Sequence, residues 1–507
     1  MTDADHDFRR RILRSLLWQL MGVGGQRILQ LAGWAVVTRQ IPKADVGLNA
    51  VLLVGIGVIE SLTLFVGEQS TISSKRTIDR PFLNTVFTVG VLRSLAISLL
   101  LVGLAWPLAW YFSDPESASH YWLPGLFLAL APVGMLDALK SPARAARMKG
   151  LDFRRIVVGD FVAVALGLGL TIVLALQLHN VWALILGHLG MTAIKSIISY
   201  VAAPHRPGFC LDRDVLKELF HYSVSALGAP FLLLMILSSP ALVLGKVLAT
   251  KGPLAVYDMA GRIAKLPEDI FQRVLGPVAI PAYAQLQNDL PRLGRAWLRA
   301  VHAFVMLGAP MTVAMIWCGD AAPAFAFGAD YGSINGLFAL LSLHGGLAGL
   351  TSVIGPLFWA VGRPTVDRRV QFWRCVLMFG AGIPAAIYGG AIGFAAATCL
   401  AIATALTLSV IAALDYLKLP FQEFLSAGRD GLLFGGGLLL LLLGVDLFVA
   451  PTGLLRVIIT GAASAPVLAF VGLRLLKERK QKGDPPPPVE GAPEQSVDET
   501  LADKASV

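Results

Sequence analysis

Apolar stretches long enough to cross a lipid bilayer recur along this chain from residue 13 to residue 475, separated by short polar connections. A helix needs about 20 predominantly apolar residues to span the hydrocarbon core. In lipid every backbone N–H and C=O must find its partner within the segment, so such stretches are helices. A membrane β-barrel would instead alternate apolar and polar residues over segments of about ten residues, a pattern this chain does not show. The stretches fall at 13–38, 46–67, 82–112, 121–141, 156–177, 180–203, 221–248, 254–280, 296–318, 333–361, 368–388, 390–416, 430–449 and 452–475. The reading is an all-α polytopic membrane protein of about 14 transmembrane helices. Composition supports lipid as the solvent: 15% of residues are charged, against about 25% in a soluble domain, and the mean hydropathy is +0.69.

The connections carry a second signal. Lys and Arg alternate between them as the positive-inside rule requires. One set holds Arg9 to Arg14, Lys75 to Arg80, Arg144 to Arg155, Arg206 to Lys217, Arg292 to Arg299, Arg363 to Arg369 and Arg474 to Lys482. The other set is poor in positive charge, with Lys43, Asp114, Glu116, His179, Lys251, Asp320, Asp330 and Asp446. The expectation is both termini in the cytoplasm. The apolar stretch behind Arg9–Arg11 runs past Val37, too long for a cleaved signal, and reads as a retained first span. The net charge of +9 is scattered rather than gathered beside aromatic residues, which excludes nucleic acid as a partner. Cys210, Cys318, Cys375 and Cys399 lack disulfide or zinc spacing and read as inert thiols.

The chain also repeats itself at an offset of roughly 210 residues, in the class of parallel repeats about an axis normal to the membrane. Asp79-Arg80-Pro81-Phe82-Leu83 recurs as Asp289-Leu290-Pro291-Arg292-Leu293, Gly125-Leu126-Phe127 as Gly336-Leu337-Phe338, and Gly150 with Arg154-Arg155 as Gly362 with Arg368-Arg369. Two six-helix lobes related by duplication follow, with two further helices at the C-terminus. The expected division is a cytoplasmic N-terminus at 1–12, an N-lobe at 13–203, a cytoplasmic amphipathic linker at 204–220, a C-lobe at 221–416, and two last spans within 417–476. The segment 477–507, with Pro485 to Pro488 and scattered Glu, Asp and Ser, has nothing to bury and reads as a disordered cytoplasmic tail.

Ionisable residues within spans mark function, because a charge at the bilayer centre costs roughly 2.5 to 3.5 kcal/mol on insertion scales. Asp258, Arg262, Lys265, Asp269 and Arg273 share one sector roughly 80° wide on a helix, running about 22 Å along its axis. Pro267 should kink that helix. The stripe either lines a central cavity and offers cations to an anion, or neutralises itself through i, i+4 pairs at a helix end. Gln19, Gln26 and Gln30 share a face of span 1 with Arg27 at its edge, and Asn49 and Glu60 share a face of span 2. The glutamines either line the cavity or bind helices together, and an Arg27–Glu60 pair would satisfy both charges. Arg93, Lys195, Lys246 and Arg374 read as snorkelling cations near helix ends. Asp137, Lys140 and Arg144 form a polar exit from span 4. His188 and His344 read as hydrogen bonds between helices. A GxxxxGK[ST] loop is absent, as are the GxSxG and HExxH motifs, and no segment outside the membrane is long enough for a catalytic domain. Transport without a cofactor is what remains.

The run Tyr257-Asp258-Met259-Ala260-Gly261-Arg262-Ile263-Ala264-Lys265-Leu266-Pro267, continuing through Val274 to Asp289, resembles the polysaccharide-transporter or oligosaccharide-flippase family of the multidrug/oligosaccharidyl-lipid/polysaccharide exporter superfamily. Thr38 to Gly47 is similar to that family's first loop. The resemblance spans about residues 10–475 and implies two lobes around a cavity in the bacterial inner membrane. It implies a polyprenyl-diphosphate-linked glycan flipped by alternating access, Arg262 and Lys265 lining the cavity, and a groove for the lipid tail in the last two spans. Membrane lipids, and the pathway's glycosyltransferases and polymerase, would be its partners. A diphosphate calls for fixed cations in a low-dielectric site. The rival readings are a drug/cation antiporter of the same superfamily, whose cavity would favour acidic groups, and a membrane glycan polymerase or glycosyltransferase, which needs a larger outward loop.

Overall fold

The computed structural model describes residues 22, 24–62, 71, 78–112, 119–149, 153–226, 229–269, 272, 279, 283–284, 286–449 and 451–481. The tail beyond 481, Gln19 and Arg273 lie outside the described residues, as does the side chain of Glu60. Among the described residues the chain is helical. The N-lobe contains α1 (24–40), α2 (Lys43–Leu62), α3 (Arg80–Phe112), α4 (Ser119–Leu130), α5 (Pro132–Ala138), α6 (Ala143–Lys149), α7 (Phe153–Leu178) and α8 (Val181–Ala202). After α9 (Arg213–Ala226), the C-lobe contains α10 (Ala229–Val247), α11 (Gly252–Ala264), α12 (Leu290–Cys318), α13 (Ala321–Phe327), α14 (Leu337–Ala360), α15 (Pro364–Gly380) and α16 (Gly382–Leu417). A hairpin of α17 (Phe421–Val449) and α18 (Gly453–Gln481) follows.

Every expected span coincides with helix among the described residues, but several are broken. Span 4 is divided at Ala131–Pro132. The helix α16 bends at Gly390, whose φ of 56° and ψ of −139° suit glycine alone. Eight helices are long and apolar enough to cross a membrane unaided among the described residues. The expected spans outside that group include α1, α2, α11 and α15, the helices that carry charge and amide groups into the interior.

The duplicated Asp-x-Pro sequence builds the same cap twice. Asp79 accepts a hydrogen bond from the Phe82 N–H at 2.9 Å, and Asp289 accepts one from the Arg292 N–H at 3.0 Å. Each satisfies an orphan donor at a helix start, with Pro in the first turn, where its missing N–H costs nothing.

The linker is longer than its sequence suggested. Residues 203–212 run extended along α3, where Asn84, Thr85 and Thr88 accept the N–H groups of Gly208, Asp212 and Cys210, each at 3.1 Å. Asp212 then caps α9 through the Asp214 and Val215 N–H groups, and α9 continues to Ala226, inside what was read as span 7. The apolar part of that span is α10, whose stretch Phe231–Val247 is shorter than a full span.

The hairpin packs on α12. A Cβ on Gly431 would lie 2.4 Å from the Val305 carbonyl carbon, so the two backbones meet where only glycine fits. Ion pairs join α17 to α18 near both ends, Asp430 with Arg474 at 2.8 Å and Asp446 with Arg456 at 3.1 Å. Trp317 of α12 donates its indole N–H to Asp446 at 3.0 Å and stacks under Arg456.

Candidate functional site

The lobes meet at the end of α1 and the start of α2. Thr38 donates to the Phe327 carbonyl at 2.9 Å, Arg39 donates to the Phe325 carbonyl at 2.9 Å, and Lys43 pairs with Asp330 at 3.7 Å. Gly47 rests on the Lys251 carbonyl, where an added Cβ would stand 1.9 Å from the oxygen. These contacts seal one end of the space between the lobes, the end bearing the connections poor in positive charge.

Below this seal lies a cavity of about 350 Å³ between the lobes. Helices α1, α2, α10, α11, α14, α15 and α16 all contribute to its wall. Four basic side chains line it, Arg27, Arg262, Lys265 and Arg374, against the acidic Asp258 and Glu268. Asp269 pairs with Arg27, and including it still leaves the basic groups in the majority. The cavity sits at the small end of the range for ligand pockets. It has room for a polar headgroup and none for a whole oligosaccharide.

The charged stripe is not one continuous helix face. Helix α11 stops at Ala264 and Lys265 takes ψ near 0°, after which the chain coils again over 266–269. Pro267 has no N–H for the Ile263 carbonyl and its ring crowds that turn, so the helix breaks there. The gap is filled by α14, whose Gly345 lies so close that a Cβ would be 2.2 Å from the Ala264 carbonyl oxygen. Gly349, one turn on, lies against Glu268. The Gly345-x-x-x-Gly349 spacing was the sequence signal for this close approach.

The break redirects the charges. Asp258, Arg262 and Lys265 keep their places in the cavity wall. Arg262 donates to Asp258 from Nε at 3.2 Å and Nη2 at 3.0 Å, and its guanidinium lies 4.5 Å from the Trp34 ring centroid. Arg262 thus lines the cavity and at the same time pairs with Asp258 at i, i+4. Asp269 turns to Arg27 and bridges the two lobes. Arg27 thus meets a carboxylate from α11's continuation; the side chain of Glu60, the partner that sequence alone suggested, lies outside the described residues. Lys265 has no carboxylate oxygen within 4.0 Å among the described residues. Asn49 is buried in the wall, with an Oδ1 that meets no hydrogen-bond donor among the described residues. Gln26 and Gln30 are half-buried and stand outside the cavity lining.

Arg374 corrects a further expectation. It does not snorkel to an interface but lines the cavity, and its Nε is buried without a hydrogen-bond partner among the described residues. Glu268 interacts electrostatically with both Lys265 and Arg374, and its carboxylate also accepts from Gln272 at 3.2 Å. His344 behaves as its sequence suggested, with Nδ1 3.3 Å from the Thr398 carbonyl oxygen. Trp34, Glu268 and Arg374 were not among the expected cavity residues. Lys140 pairs with Asp137, and Arg144 grips Asp160 with two hydrogen bonds of 2.8 and 3.0 Å. The polar exit from span 4 is thus internally neutralised.

The chain is similar to several bacterial proteins. It is 26% identical over 310 residues to the amylovoran biosynthesis protein AmsL of Erwinia amylovora, covering 61% of this chain and 77% of that protein. It is 23% identical to the succinoglycan biosynthesis transport protein ExoT of Rhizobium meliloti, over 75% of this chain and 74% of that one. To the lipopolysaccharide biosynthesis protein WzxC of Escherichia coli it is 22% identical, over 71% and 72%. Its fold matches the lipid II flippase MurJ in an inward closed conformation, with a TM-score of 0.69 at 14% identity over 92% of this chain and all of MurJ. It also matches an inward-facing multidrug resistance MATE family transporter, with a TM-score of 0.59 at 16% identity over 83% of this chain and 96% of that one. Residues 36–335, which include the first-loop motif and the α11 motif read from the sequence, match the model of the polysaccharide biosynthesis protein family, and the chain belongs to that family.

Proposed function

We propose that this protein is a flippase that moves a polyprenyl-diphosphate-linked oligosaccharide across the bacterial inner membrane by alternating access of its two lobes. The observation that carries this reading is the cavity between the lobes, in which basic side chains outnumber acidic ones and, among the described residues, Lys265 and Arg374 share the nearby charge of Glu268 without a carboxylate oxygen within 4.0 Å of either. A diphosphate supplies what those groups lack. Its oxygens accept charge-assisted hydrogen bonds from Lys265 and Arg374 in a site removed from bulk water, where such bonds are roughly twice as strong as neutral ones. Trp34 and Asn49 stand nearby to meet a sugar. The isoprenoid stays in lipid.

With the seal at 38–47 taken as the periplasmic end, the cavity belongs to a state that receives substrate from the cytoplasmic leaflet. The names and the shared family of the relatives support a glycan-biosynthesis cargo. A drug/cation antiporter would need an acidic excess in the cavity, and the excess here is basic.

The test is translocation of a fluorescent polyprenyl-diphosphate oligosaccharide in proteoliposomes. Lys265→Ala and Arg374→Ala should each lower the rate about tenfold or more, the loss expected for one charge-assisted contact. Arg262→Ala should cost less, because Asp258 already holds that guanidinium. Unimpaired translocation by both Lys265→Ala and Arg374→Ala at normal protein levels would remove the cavity from the mechanism, and uptake of cationic dyes in its place would favour the antiporter.

A further inference from the structure

A second concavity lies on the N-lobe, away from the central cavity. It is a groove of about 850 Å³ between α7 and α8, with Arg154 and Arg155 at its mouth and Val158, Val162, Ile198 and Val201 along its walls. Its floor is made by small residues. A Cβ on Gly159 would lie 3.2 Å from the Ala202 Cβ and 3.3 Å from Ile198 Cγ2, so the helices touch at Gly159 and Ala202 while larger side chains stand up on either side. Val158, Val162 and Val201 are exposed at 45%, 41% and 77%. No described segment covers them, and in a membrane the covering medium is acyl chain.

The mouth is positively charged. Asp160, one turn along α7, is held by both guanidinium nitrogens of Arg144 and is committed there. Arg155 has no carboxylate oxygen within 4.0 Å among the described residues. From Arg155 to Val162 the helix rises about 10 Å, the distance from a phosphate into the first half of an acyl chain. Both arginines belong to the set of basic connections read as cytoplasmic, the leaflet in which anionic lipids set a negative surface potential.

We propose that this groove binds an anionic glycerophospholipid of the cytoplasmic leaflet. Its phosphate sits on Arg155, with Arg154 adding positive charge beside it, and one acyl chain lies along Val158 and Val162. The charge at the mouth selects anionic over zwitterionic headgroups, because a choline or ethanolamine group would bring a third cation to the pair. The length of the apolar wall suits an ordinary acyl chain. The proposal rests on the groove alone and is independent of what the central cavity carries.

The experiment is native mass spectrometry of the full-length protein in detergent, titrated with palmitoyl-oleoyl phosphatidylglycerol and, separately, the matching phosphatidylcholine. The expected result is phosphatidylglycerol bound about fivefold more tightly, the gain expected of Arg155 alone near a membrane surface. Arg154→Gln combined with Arg155→Gln should bring the two lipids within about twofold of each other. Val158→Trp fills the groove and keeps the charges, and it should weaken phosphatidylglycerol binding without changing the arginines. A monodisperse elution profile and an unchanged melting temperature show that each variant is folded, and Val201→Trp replaces any variant that is not. Equal affinity of the two lipids for the unaltered protein would overturn the proposal, as would a preference that survives loss of both arginines. Preferential binding of undecaprenyl diphosphate over phosphatidylglycerol at this groove would assign it to the cargo lipid and overturn it equally.

Discussion

The Arg27–Asp269 pair ties α1 to the segment after α11, and so one lobe to the other on the side opposite the seal at 38–47. Removing either partner leaves the other charge half-buried. Breaking a fully buried pair in this way costs about 3–5 kcal/mol. Here the side chains are 28% and 22% exposed, water screens part of the loss, and a figure of about 1–2 kcal/mol is the appropriate scale. If the pair exists only while the lobes are closed on that side, this energy shifts the closed–open balance by a factor of about 5 to 30. The assay uses a cysteine-free background with one reporter cysteine replacing Ala50, which lines the cavity, and a membrane-impermeant maleimide applied from the cytoplasmic face. Arg27→Gln and Asp269→Asn should each speed labelling by that factor. Arg27→Glu combined with Asp269→Arg should return the rate to within about twofold of the parent. Labelling unchanged in both single variants, or as fast in the exchanged pair as in the singles, would refute the idea that this bridge closes the cavity.

Two further outcomes follow from geometry elsewhere. Gly431→Ala sets a methyl against the α12 backbone at Val305, where no rotamer change relieves it. It should cost about 1–3 kcal/mol, read as a fall of several degrees in melting temperature, while Gly436→Ala, with open space at its Cβ, should leave the melting temperature unchanged or raise it. His205 lies in the linker, 3.1 Å from Asn84, and its burial, with Arg80 nearby, holds its pKa below the ordinary histidine value. Because the folded linker favours the neutral ring, its stability is full well above the ordinary value of about 6.5 and declines as pH falls through it. Hydrogen exchange at 206–212, corrected for intrinsic rates, should accelerate from about pH 7.5 to about 5.5 in the parent and not in His205→Gln. An identical acid response in the variant would refute the assignment.

Much of the architecture was legible because the constraints behind it are local. A lipid solvent requires each span to satisfy its own backbone, so apolar length alone located the spans, though it set one boundary at 388–390 where the structure bends α16 at Gly390 and ends α15 earlier, at Gly380. The Asp-x-Pro starts of α3 and α12 could be matched because a cap is made by residues three apart. The i, i+4 pair of Asp258 and Arg262 likewise lies within a single turn. What tertiary structure decided was every contact whose partners are far apart in the chain. Arg27 and Asp269 are separated by 242 residues, and no periodicity in span 1 names a carboxylate in the C-lobe. The break at Lys265 follows from Pro267, yet only the bare surface of Gly345 makes room for it. Arg374 reads in sequence as one cation near a helix end, and it becomes a cavity residue only because α15 packs beside α10 and α16. Helix formation in a membrane is settled by backbone hydrogen bonds a few residues long. The partner of a buried charge is settled by which helices are neighbours, and that depends on the whole bundle.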